Sequence, residues 1–299
     1  MRHDALIIGG GFAGLAAATY VARALRSVCV IDAGKPRNRF AAHSHGFLTQ
    51  DGKPPADILA TARSQLAVYR GSAILDGEAA AAVATDDGFA VTLSSGEVIE
   101  AGALVLAFGL RDELPPVPGL AERWGRSVLH CPYCHGYEIA GRRLGVLATS
   151  PMSVHQAMLI PEWGPTTFFL NGTAEPDEAT LAELDRRGVA IEPAAVVAVH
   201  GDGDAISAVE LADGREVPVD AIYTAPRSHL NSPIADLLGC AMDDAPFGRI
   251  IRTDGFKATS VPKVFAAGDI ARPMHSVTFA CADGVLAGTA LHRSIVFPA

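Results

Sequence analysis

Two cysteines, Cys131 and Cys134, have the residue type and spacing most directly suited to chemistry. The intervening Pro-Tyr dipeptide leaves the two thiols close enough to form a disulfide within one turn, and a disulfide that opens and closes carries two electrons. The pair therefore predicts thiol–disulfide redox chemistry. A zinc site is the alternative, and it requires a second pair of ligands. The other candidate ligands lack that paired spacing: His155, Cys240 and His292.

The N-terminal segment IIGGGFAG predicts a second function, the binding of a dinucleotide. Gly9, Gly11 and Gly14 follow the GxGxxG pattern, and Asp32 ends the next apolar stretch. The first glycine of this pattern permits a tight turn, the second lets the backbone approach a pyrophosphate, and the third lets helix and strand pack closely. Helix amides then face the anion, and the acidic side chain accepts hydrogen bonds from a ribose. A glycine-rich turn without a ligand is the alternative.

The elements that must position these motifs follow an α/β order. A strand over 5–8, a helix over 12–25 and a strand over 28–31 form one βαβ unit. A proline-rich stretch at 115–119 predicts a crossover to a second unit. The other predicted elements are a helix at 56–69, hairpin strands at 72–107, a strand at 144–148, a helix at 153–160, a strand at 166–170, a helix at 177–187, alternating strands at 189–224, a strand at 261–269 and a final helix at 277–294.

The predicted fold class is α/β, with two Rossmann-like three-layer domains, the second inserted into the first. The first domain is discontinuous, takes residues 1–116 and 247–299, and carries the GxGxxG turn. The central domain takes residues 117–246 and carries the CxxC pair. A length of 299 residues fits two compact domains of about 100–200 residues each.

Bulk composition limits the classes of function. The net charge of −9 argues against a nucleic acid partner, because phosphate binding needs a basic surface. No apolar run reaches the roughly 20 residues that span a bilayer. The N-terminus runs into a strand without a signal-peptide pattern, and five cysteines are too few for a secreted disulfide scaffold. We therefore expect a cytoplasmic protein without a membrane or nucleic acid partner.

Two further segments add a family resemblance. The segment VFAAGD at 264–269 resembles the second FAD fingerprint of two-dinucleotide flavoproteins. The segment ALVLAFG at 103–109 is similar to their ATG crossover strand, with Phe108 in place of the usual threonine. Together with GxGxxG, CxxC and the final helix, in this order, nearly the whole chain resembles the low-molecular-weight thioredoxin reductase family. The resemblance implies FAD as cofactor, a two-dinucleotide-binding architecture, a homodimer and disulfide oxidoreductase activity.

The resemblance also implies roles for individual residues. In that family the second cysteine, matching Cys134, lies against the flavin, and the first, matching Cys131, exchanges with the substrate. His135 stands where reductases carry an acidic proton donor, so we predict an acid/base role, with space filling as the alternative. His275 is a candidate general base, or only a helix N-terminal residue, and His45 is expected near the active site, or is a solvated loop histidine. The predicted FAD contacts are Gly9, Gly11, Phe12, Ala13, Gly14, Asp32, Ala33, Arg39, His45, Gly109, Gly268, Asp269, Ser276 and Val277.

The chain departs from the NADPH-dependent members in its second half. Those members carry another GxGxxG after the strand that follows CxxC, and a basic cluster after the next strand. Here the first position reads LATSPM at 147–152, without a glycine, and Pro151 removes a donor amide. The second position, FFLNGT at 168–173, has no cation to meet a 2′-phosphate. Two losses in one site predict that the second domain is a degenerate NAD(P)-binding half.

The motif CPYCHGYE at 131–138 closely resembles that of the NADPH-independent dithiol oxidases of the gliotoxin, holomycin and romidepsin type. The stretch at 37–40 with His43 and His45 is also similar to theirs. The resemblance implies FAD-dependent oxidation of a small dithiol to a disulfide, with oxygen as acceptor. One alternative is a thioredoxin reductase-like enzyme that acts on a protein disulfide and takes electrons from ferredoxin or another non-NADPH donor. A flavin-bound redox sensor is a third. No motif identifies the substrate.

Overall fold

A computed structural model of the chain describes residues 2–173 and 175–297. Its helices are α1 (Phe12–Arg23), α2 (Pro55–Leu66), α3 (Pro132–His135), α4 (Met152–Leu159), α5 (Glu178–Arg186), α6 (Ile234–Leu237) and α7 (Val277–Val296). Its strands are β1 (His3–Ile8), β2 (Val28–Asp32), β3 (Ser72–Asp76), β4 (Ala79–Thr85), β5 (Gly88–Leu93), β6 (Val98–Leu106), β7 (Leu110–Glu113), β8 (Val128–Leu129), β9 (Leu144–Leu147), β10 (Thr166–Phe169), β11 (Ala190–Glu192), β12 (Val196–His200), β13 (Ala208–Leu211), β14 (Glu216–Pro218), β15 (Ala221–Thr224), β16 (Arg227–Leu230), β17 (Met242–Ala245), β18 (Gly248–Ile251) and β19 (Val264–Ala266).

The chain divides into two compact units. The first unit comprises Met1–Arg39, Ala56–Arg111 and Ser228–Ala299, and the second comprises Phe40–Pro55 and Asp112–Arg227. These limits differ from the boundaries at 116 and 246 that the sequence analysis placed. Residues between Ser228 and 246 belong to the first unit because apolar side chains there are buried in its core beside Leu6 and Leu104. These side chains are Ile234, Ala235 and Cys240.

The first unit is built on a sheet whose parallel strands run in the order β3-β2-β1-β6, with β19 pairing with the C-terminal half of β6. The N-terminal half of β6 continues into an antiparallel meander with β5 and β4. From Ala5 to Ile8, strand β1 is buried on both faces, as expected for the central strand of a covered parallel sheet. The carboxyl ends of β1 and β2 therefore bring the GxGxxG turn and Asp32 to the same edge.

Helices α1 and α7 pack at very short range within the first unit. A Cβ on Gly284 would collide with the carbonyl oxygen of Ala13, and a Cβ on Gly288 would lie 2.6 Å from the carbonyl oxygen of Ala17. Only glycine permits this approach of the two backbones. The contact holds the start of α7, at Ser276 and Val277, on the side of the unit where α1 begins.

The second unit contains a fully parallel sheet in the order β11-β10-β9-β15-β8 and an antiparallel sheet of β12, β13 and β14. In the parallel sheet, Tyr223 of β15 is in register with Leu129 of β8 and Val146 of β9. The CxxC segment follows β8 directly, so it lies at the carboxyl end of this sheet. The parallel sheets of both units confirm the predicted α/β class.

In residues 2–173 and 175–297, no helix combines the length and the apolar character needed to cross a membrane.

Candidate active site

The cysteine pair lies at the start of the short helix α3. Cys131 is the N-cap residue, Pro132 occupies the first turn, and the amide of Cys134 donates to the carbonyl oxygen of Cys131 at 3.3 Å. The Sγ of Cys134 donates to the Sγ of Cys131 at 2.7 Å. This geometry agrees with the sequence-based expectation that the two sulfurs can form and break a disulfide within one turn.

The pKa values of the two thiols are shifted in opposite directions. The pKa of Cys131 is lowered because the Cys134 thiol donates to its sulfur, and the amides of Cys134 and Tyr133 contribute in the same direction. The pKa of Cys134 is raised because its thiol proton is held by Cys131 and because it is buried. When the pair is reduced, the negative charge therefore lies on Cys131, which makes that sulfur the better nucleophile for thiol–disulfide exchange.

His135 lies in a group of titratable side chains at the end of α3. Burial lowers the pKa of His135, the charge of His45 lowers it further, and Glu138 opposes both effects. His45 reaches this group from the loop of residues 40–55, with its Nε2 3.5 Å from Oε1 of Glu138 and its Nδ1 3.8 Å from Oδ1 of Asp51. The structure thus places His45 near the redox pair, and its predicted contact with FAD stays a prediction.

If His135 accepts a substrate proton, kcat/KM for a dithiol should fall at acidic pH, with a midpoint below the ordinary histidine value of 6.5. A lowered pKa keeps the ring neutral, and therefore able to accept a proton, to a lower pH. The Glu138→Gln variant should move the midpoint down, because Glu138 raises the pKa of His135, and His45→Gln should move it up. The measurement is the pH profile of each variant.

The control for this profile is His135→Gln, which should lose the acidic limb and turn over roughly 10²–10⁴ times more slowly. The ultraviolet absorbance of the Cys131 thiolate, followed over the same pH range, separates the titration of the cysteine from that of the histidine. An unchanged limb in His135→Gln would exclude the acid/base role.

The GxGxxG turn of the first unit has the space and polarity that a pyrophosphate needs. A Cβ on Gly14 would collide with the carbonyl oxygen of Gly9, whereas the Cβ position of Gly11 has no atom within 4 Å. Helix α1 starts immediately after Gly11, with no acidic residue in its first turn, and Gly11 as the N-cap residue has no side chain to cap the helix. An open glycine at the start of a helix fits the phosphates of a dinucleotide such as FAD.

Asp32 lies beside this turn at the end of β2. Its side chain lies against Gly10, where a Cβ would approach the carboxylate to 2.6 Å. Its Oδ2 accepts from Nη1 of Arg63 at 2.7 Å, and its Oδ1 accepts from the amide of Gly34 at 3.1 Å. A carboxylate in this place fits the ribose hydroxyls of a nucleotide. Ala33, which follows Asp32, is exposed.

A second cluster in the first unit joins Arg37 to the segment that follows β19. Nη1 of Arg37 donates to Oδ2 of Asp269 at 2.9 Å and to Nδ1 of His275 at 2.7 Å. Nε2 of His275 then donates to the carbonyl oxygen of Arg272 at 3.2 Å. A ring with both nitrogens engaged in this way is neutral and fixed in orientation. This geometry supports the helix N-terminal alternative for His275, and its catalytic role stays a prediction.

The remaining predicted FAD residues lie in the first unit. Ser276 caps α7 by accepting from the amide of Phe279 at 3.0 Å, and Val277 is the first residue of that helix. Gly109 has a φ of +69° and Gly268 a φ of +82°. The guanidinium of Arg39 donates to the carbonyl oxygen of Pro36 at 3.0 Å. The arginine that donates to Asp269 is Arg37.

The loop after β9 is the place where a second nucleotide loop was expected to be degenerate. The amides of Thr149 and Ser150 donate to Oγ of Ser153 at 3.0 and 3.3 Å, and Ser153 is fully buried. Oγ1 of Thr149 donates to the carbonyl oxygen of Ala225 at 2.9 Å. Two backbone amides and one hydroxyl of this loop are therefore satisfied by the protein itself, whereas the buried Oγ of Ser150 has no hydrogen-bond partner among the described residues.

Three residues contribute to these sites without having been predicted: Arg37, Glu138 and Ser153. Arg37 and Glu138 lie in two segments, 37–40 and 131–138, that carry the family resemblance. Their charge was the sequence signal that could have marked them as site residues. Nothing in the sequence distinguished Ser153 from an ordinary helix residue. In the described part of the chain, no group of three or more His, Cys, Asp or Glu side chains is arranged to hold a metal ion.

Comparison with known proteins finds similarity along nearly the whole chain. A family model described as pyridine nucleotide-disulphide oxidoreductase matches residues 3–284. A relative named thioredoxin reductase tcpT, from Claviceps purpurea, is 36% identical over 302 residues, which cover 95% of this chain and 92% of the relative.

Solved structures agree with these matches. An oxidoreductase from Agrobacterium tumefaciens is 45% identical, with a TM-score of 0.96 and 100% of both chains covered. The crystal structure of HlmI is 38% identical, with a TM-score of 0.90, covering 98% of this chain and 92% of that chain. The similarity extends over both units, so it includes the glycine turn as well as the cysteine pair.

Proposed function

Because the chain belongs to the pyridine nucleotide-disulphide oxidoreductase family, and is an FAD-binding disulfide oxidoreductase of the thioredoxin reductase type, we propose that it oxidises a dithiol to a disulfide without NADPH. In this proposal oxygen is the electron acceptor, and the substrate is a small molecule that carries two thiols. A homodimer and a cytoplasmic location belong to the same proposal.

The observation that carries this proposal is the loop after β9. In a nucleotide-binding loop the backbone amides point at the pyrophosphate and glycines let the ligand come close. Here the Ser153 hydroxyl accepts from two of these amides, and no glycine lies between β9 and α4. Binding NADPH at this place would require breaking these hydrogen bonds and displacing side chains. The loop therefore supports an enzyme that takes its electrons from thiols.

The chain's own residues account for the thiol chemistry. In the oxidised enzyme, one substrate thiolate attacks Sγ of Cys131, which breaks the Cys131–Cys134 bond and leaves its electron pair on Cys134. The second substrate thiolate then attacks the substrate sulfur of this mixed disulfide and releases Cys131 as a thiolate. The substrate leaves as a disulfide, and the cysteine pair has gained two electrons. His135, neutral because its pKa is lowered, accepts a proton from the incoming thiol.

The first unit supplies the place for FAD. Gly9, Gly11 and Gly14 with the first amides of α1 would hold the pyrophosphate, and Asp32 would bind the ribose. Asp269 and the amide of Val277 lie in the segments that the family uses for the rest of the cofactor. FAD bound there would supply an acceptor for the two electrons of the cysteine pair and a route for them to oxygen, with peroxide as the product.

The proposal is tested by titrating the purified holoenzyme under argon. A small dithiol is expected to bleach the visible flavin absorbance, and air should restore it with one peroxide released per disulfide formed. NADPH and NADH should leave the spectrum unchanged over the same time. The matched control is the Cys131→Ser/Cys134→Ser double variant, whose flavin should respond to dithionite but not to the dithiol. Rapid bleaching by NADPH would contradict the proposal.

A further inference from the structure

The two carboxylates that were predicted to bind FAD, Asp32 and Asp269, are each held by one arginine of the first unit. Nη1 of Arg63, in α2, donates to Oδ2 of Asp32 at 2.7 Å. Nη1 of Arg37, which begins a single 3₁₀ turn after β2, donates to Oδ2 of Asp269 at 2.9 Å. The side chains of the two aspartates are only 15% and 19% exposed. Solvent therefore screens both ion pairs weakly.

Arg37 joins three segments that are far apart in the chain. Besides the bond to Asp269, its Nη1 donates to Nδ1 of His275 at 2.7 Å, and its Nη2 donates to Oγ of the buried Ser228 at 3.3 Å. These partners lie 191 to 238 positions from Arg37. A planar, forked donor group can meet several acceptors in fixed directions at once. Arg37 therefore fixes the Asp269 carboxylate relative to two other segments, one of which leads into α7.

Arg63 has the same relation to the other carboxylate. Its Nη2 donates to Oδ1 of Asp76 at 2.6 Å, and Asp76 is in register with Asp32 on the neighbouring strand β3. One guanidinium is thus shared by two aspartates at the carboxyl ends of adjacent parallel strands. Without the arginine these two negative charges would repel each other. Arg63 therefore holds Asp32 in place at the end of β2.

The orientation of a carboxylate decides which hydroxyls it can bind. FAD carries hydroxyls in two places, on the ribose of its ADP half and on the ribityl chain of its flavin half. An ionised carboxylate has about four acceptor sites and can only accept hydrogen bonds from such groups. An arginine that takes one of these sites fixes the direction of the others.

We infer that Arg37 and Arg63 are positioning residues for FAD. Arg63 holds Asp32 for the ribose hydroxyls, and Arg37 holds Asp269 for the ribityl hydroxyls. Each arginine acts through the carboxylate that it orients. The inference goes beyond the proposed oxidase reaction, because it concerns how the first unit binds its cofactor. ADP distinguishes the two arginines, since it contains the ribose but no ribityl chain.

The test is the affinity of the apoprotein for two probes, FAD and ADP. Arg37→Met should weaken FAD binding about ten- to hundredfold, because hydrogen bonds to charged groups are strong, and should leave ADP binding within about twofold. Arg63→Met should weaken the binding of both probes by about the same factor. FAD binding is followed by the change in flavin fluorescence, and ADP binding by calorimetry.

The matched control is Arg252→Met. Arg252 belongs to the same unit, donates to Oδ1 of Asp243 at 2.7 Å and has a side chain that is 61% exposed. Its removal should change neither affinity. Arg37→Lys keeps the positive charge but replaces the fork with a single ammonium group, so its loss of FAD affinity should be smaller than that of Arg37→Met but still measurable. Thermal unfolding shows whether each variant is folded, and Arg37→Lys decides the matter if Arg37→Met is not.

Equal losses of FAD and ADP affinity in a folded Arg37→Met protein would show a general structural role and overturn the inference, as would an unchanged FAD affinity. Unchanged ADP affinity in Arg63→Met would overturn it at the ribose. An Arg37→Lys protein that binds FAD as tightly as the unchanged protein would also contradict it, because charge alone would then suffice.

These affinities are measured without dithiol and without oxygen. Failure of the oxidase proposal would therefore leave them intact, and failure of the present inference would leave dithiol turnover by the FAD-saturated enzyme intact.

Discussion

Replacing either cysteine of the redox pair with serine is expected to reduce dithiol oxidation by at least about 10³-fold, as removal of an enzyme's nucleophile does. A serine hydroxyl is not ionised near neutral pH and cannot take part in a disulfide. The two variants should differ in one respect. In Cys134→Ser the amides of positions 133 and 134 still lower the pKa of Cys131, so a small disulfide probe should attach to it, whereas in Cys131→Ser burial still raises the pKa of Cys134, which should react more slowly. Turnover assays and the mass of the intact protein measure both effects.

The control for this pair of variants is Cys240→Ala. Cys240 is a buried thiol of the first unit whose pKa is raised mainly by burial, so it should be unreactive. Its removal should leave turnover close to that of the unchanged enzyme. If Cys131→Ser or Cys134→Ser retained substantial turnover, thiol exchange at this pair would not be the route of the electrons.

The glycine turn is expected to show a comparably large effect on cofactor binding. Gly11→Ala introduces a methyl group into open space, so the protein without cofactor should fold as before. The same methyl group would meet the pyrophosphate, and overpacking of roughly 1–3 kcal/mol corresponds to a loss of FAD affinity of about ten- to hundredfold. Gly14→Ala should be more severe, because its Cβ collides with the carbonyl oxygen of Gly9 and distorts the turn itself. Flavin content after purification and thermal unfolding with and without FAD test this.

Gly255→Ala provides the comparison for both substitutions. Gly255 lies in the first unit, and its Cβ position also has open space around it. This variant should retain the full flavin content. Should Gly11→Ala bind FAD as tightly as the unchanged protein, the cofactor would not approach the turn as the GxGxxG pattern requires.

The parts of the site that could be predicted are local motifs, whose functional residues lie a few positions apart in the sequence. Cys131 and Cys134 are three positions apart, and the three glycines span six positions, so each set lies close together in space whatever the rest of the chain does. The predicted helix at 277–294 corresponds to α7, and it could be predicted because its apolar pattern extends over many residues. For the same reason, the α/β order of the two units could be predicted from patterning.

The parts that could not be predicted depend on contacts between distant positions. Arg37 and Asp269 are 232 positions apart, and no local pattern joins them. Tyr223 lies in an apolar strand, and the complete burial of its hydroxyl depends on the strands that pack beside it. The short hairpin of β17 and β18 contains two aspartates and a proline, so its pattern resembles a turn more than a pair of strands. The unit boundary differs from the predicted position because Ile234, Ala235 and Cys240, which precede this hairpin, are buried in the core of the first unit.

The close contact of α1 with α7 has a consequence for the order in which the first unit can fold. More than 250 residues separate Arg23 from Val277, so a ribosome adding about 5–20 residues per second needs roughly 13–50 seconds to make the partner of α1. During that time the small-residue face of α1 has nothing to pack against. Most of the second unit, by contrast, is contiguous and emerges earlier. The nascent chain should therefore assemble from its middle outward, and its two ends should join last.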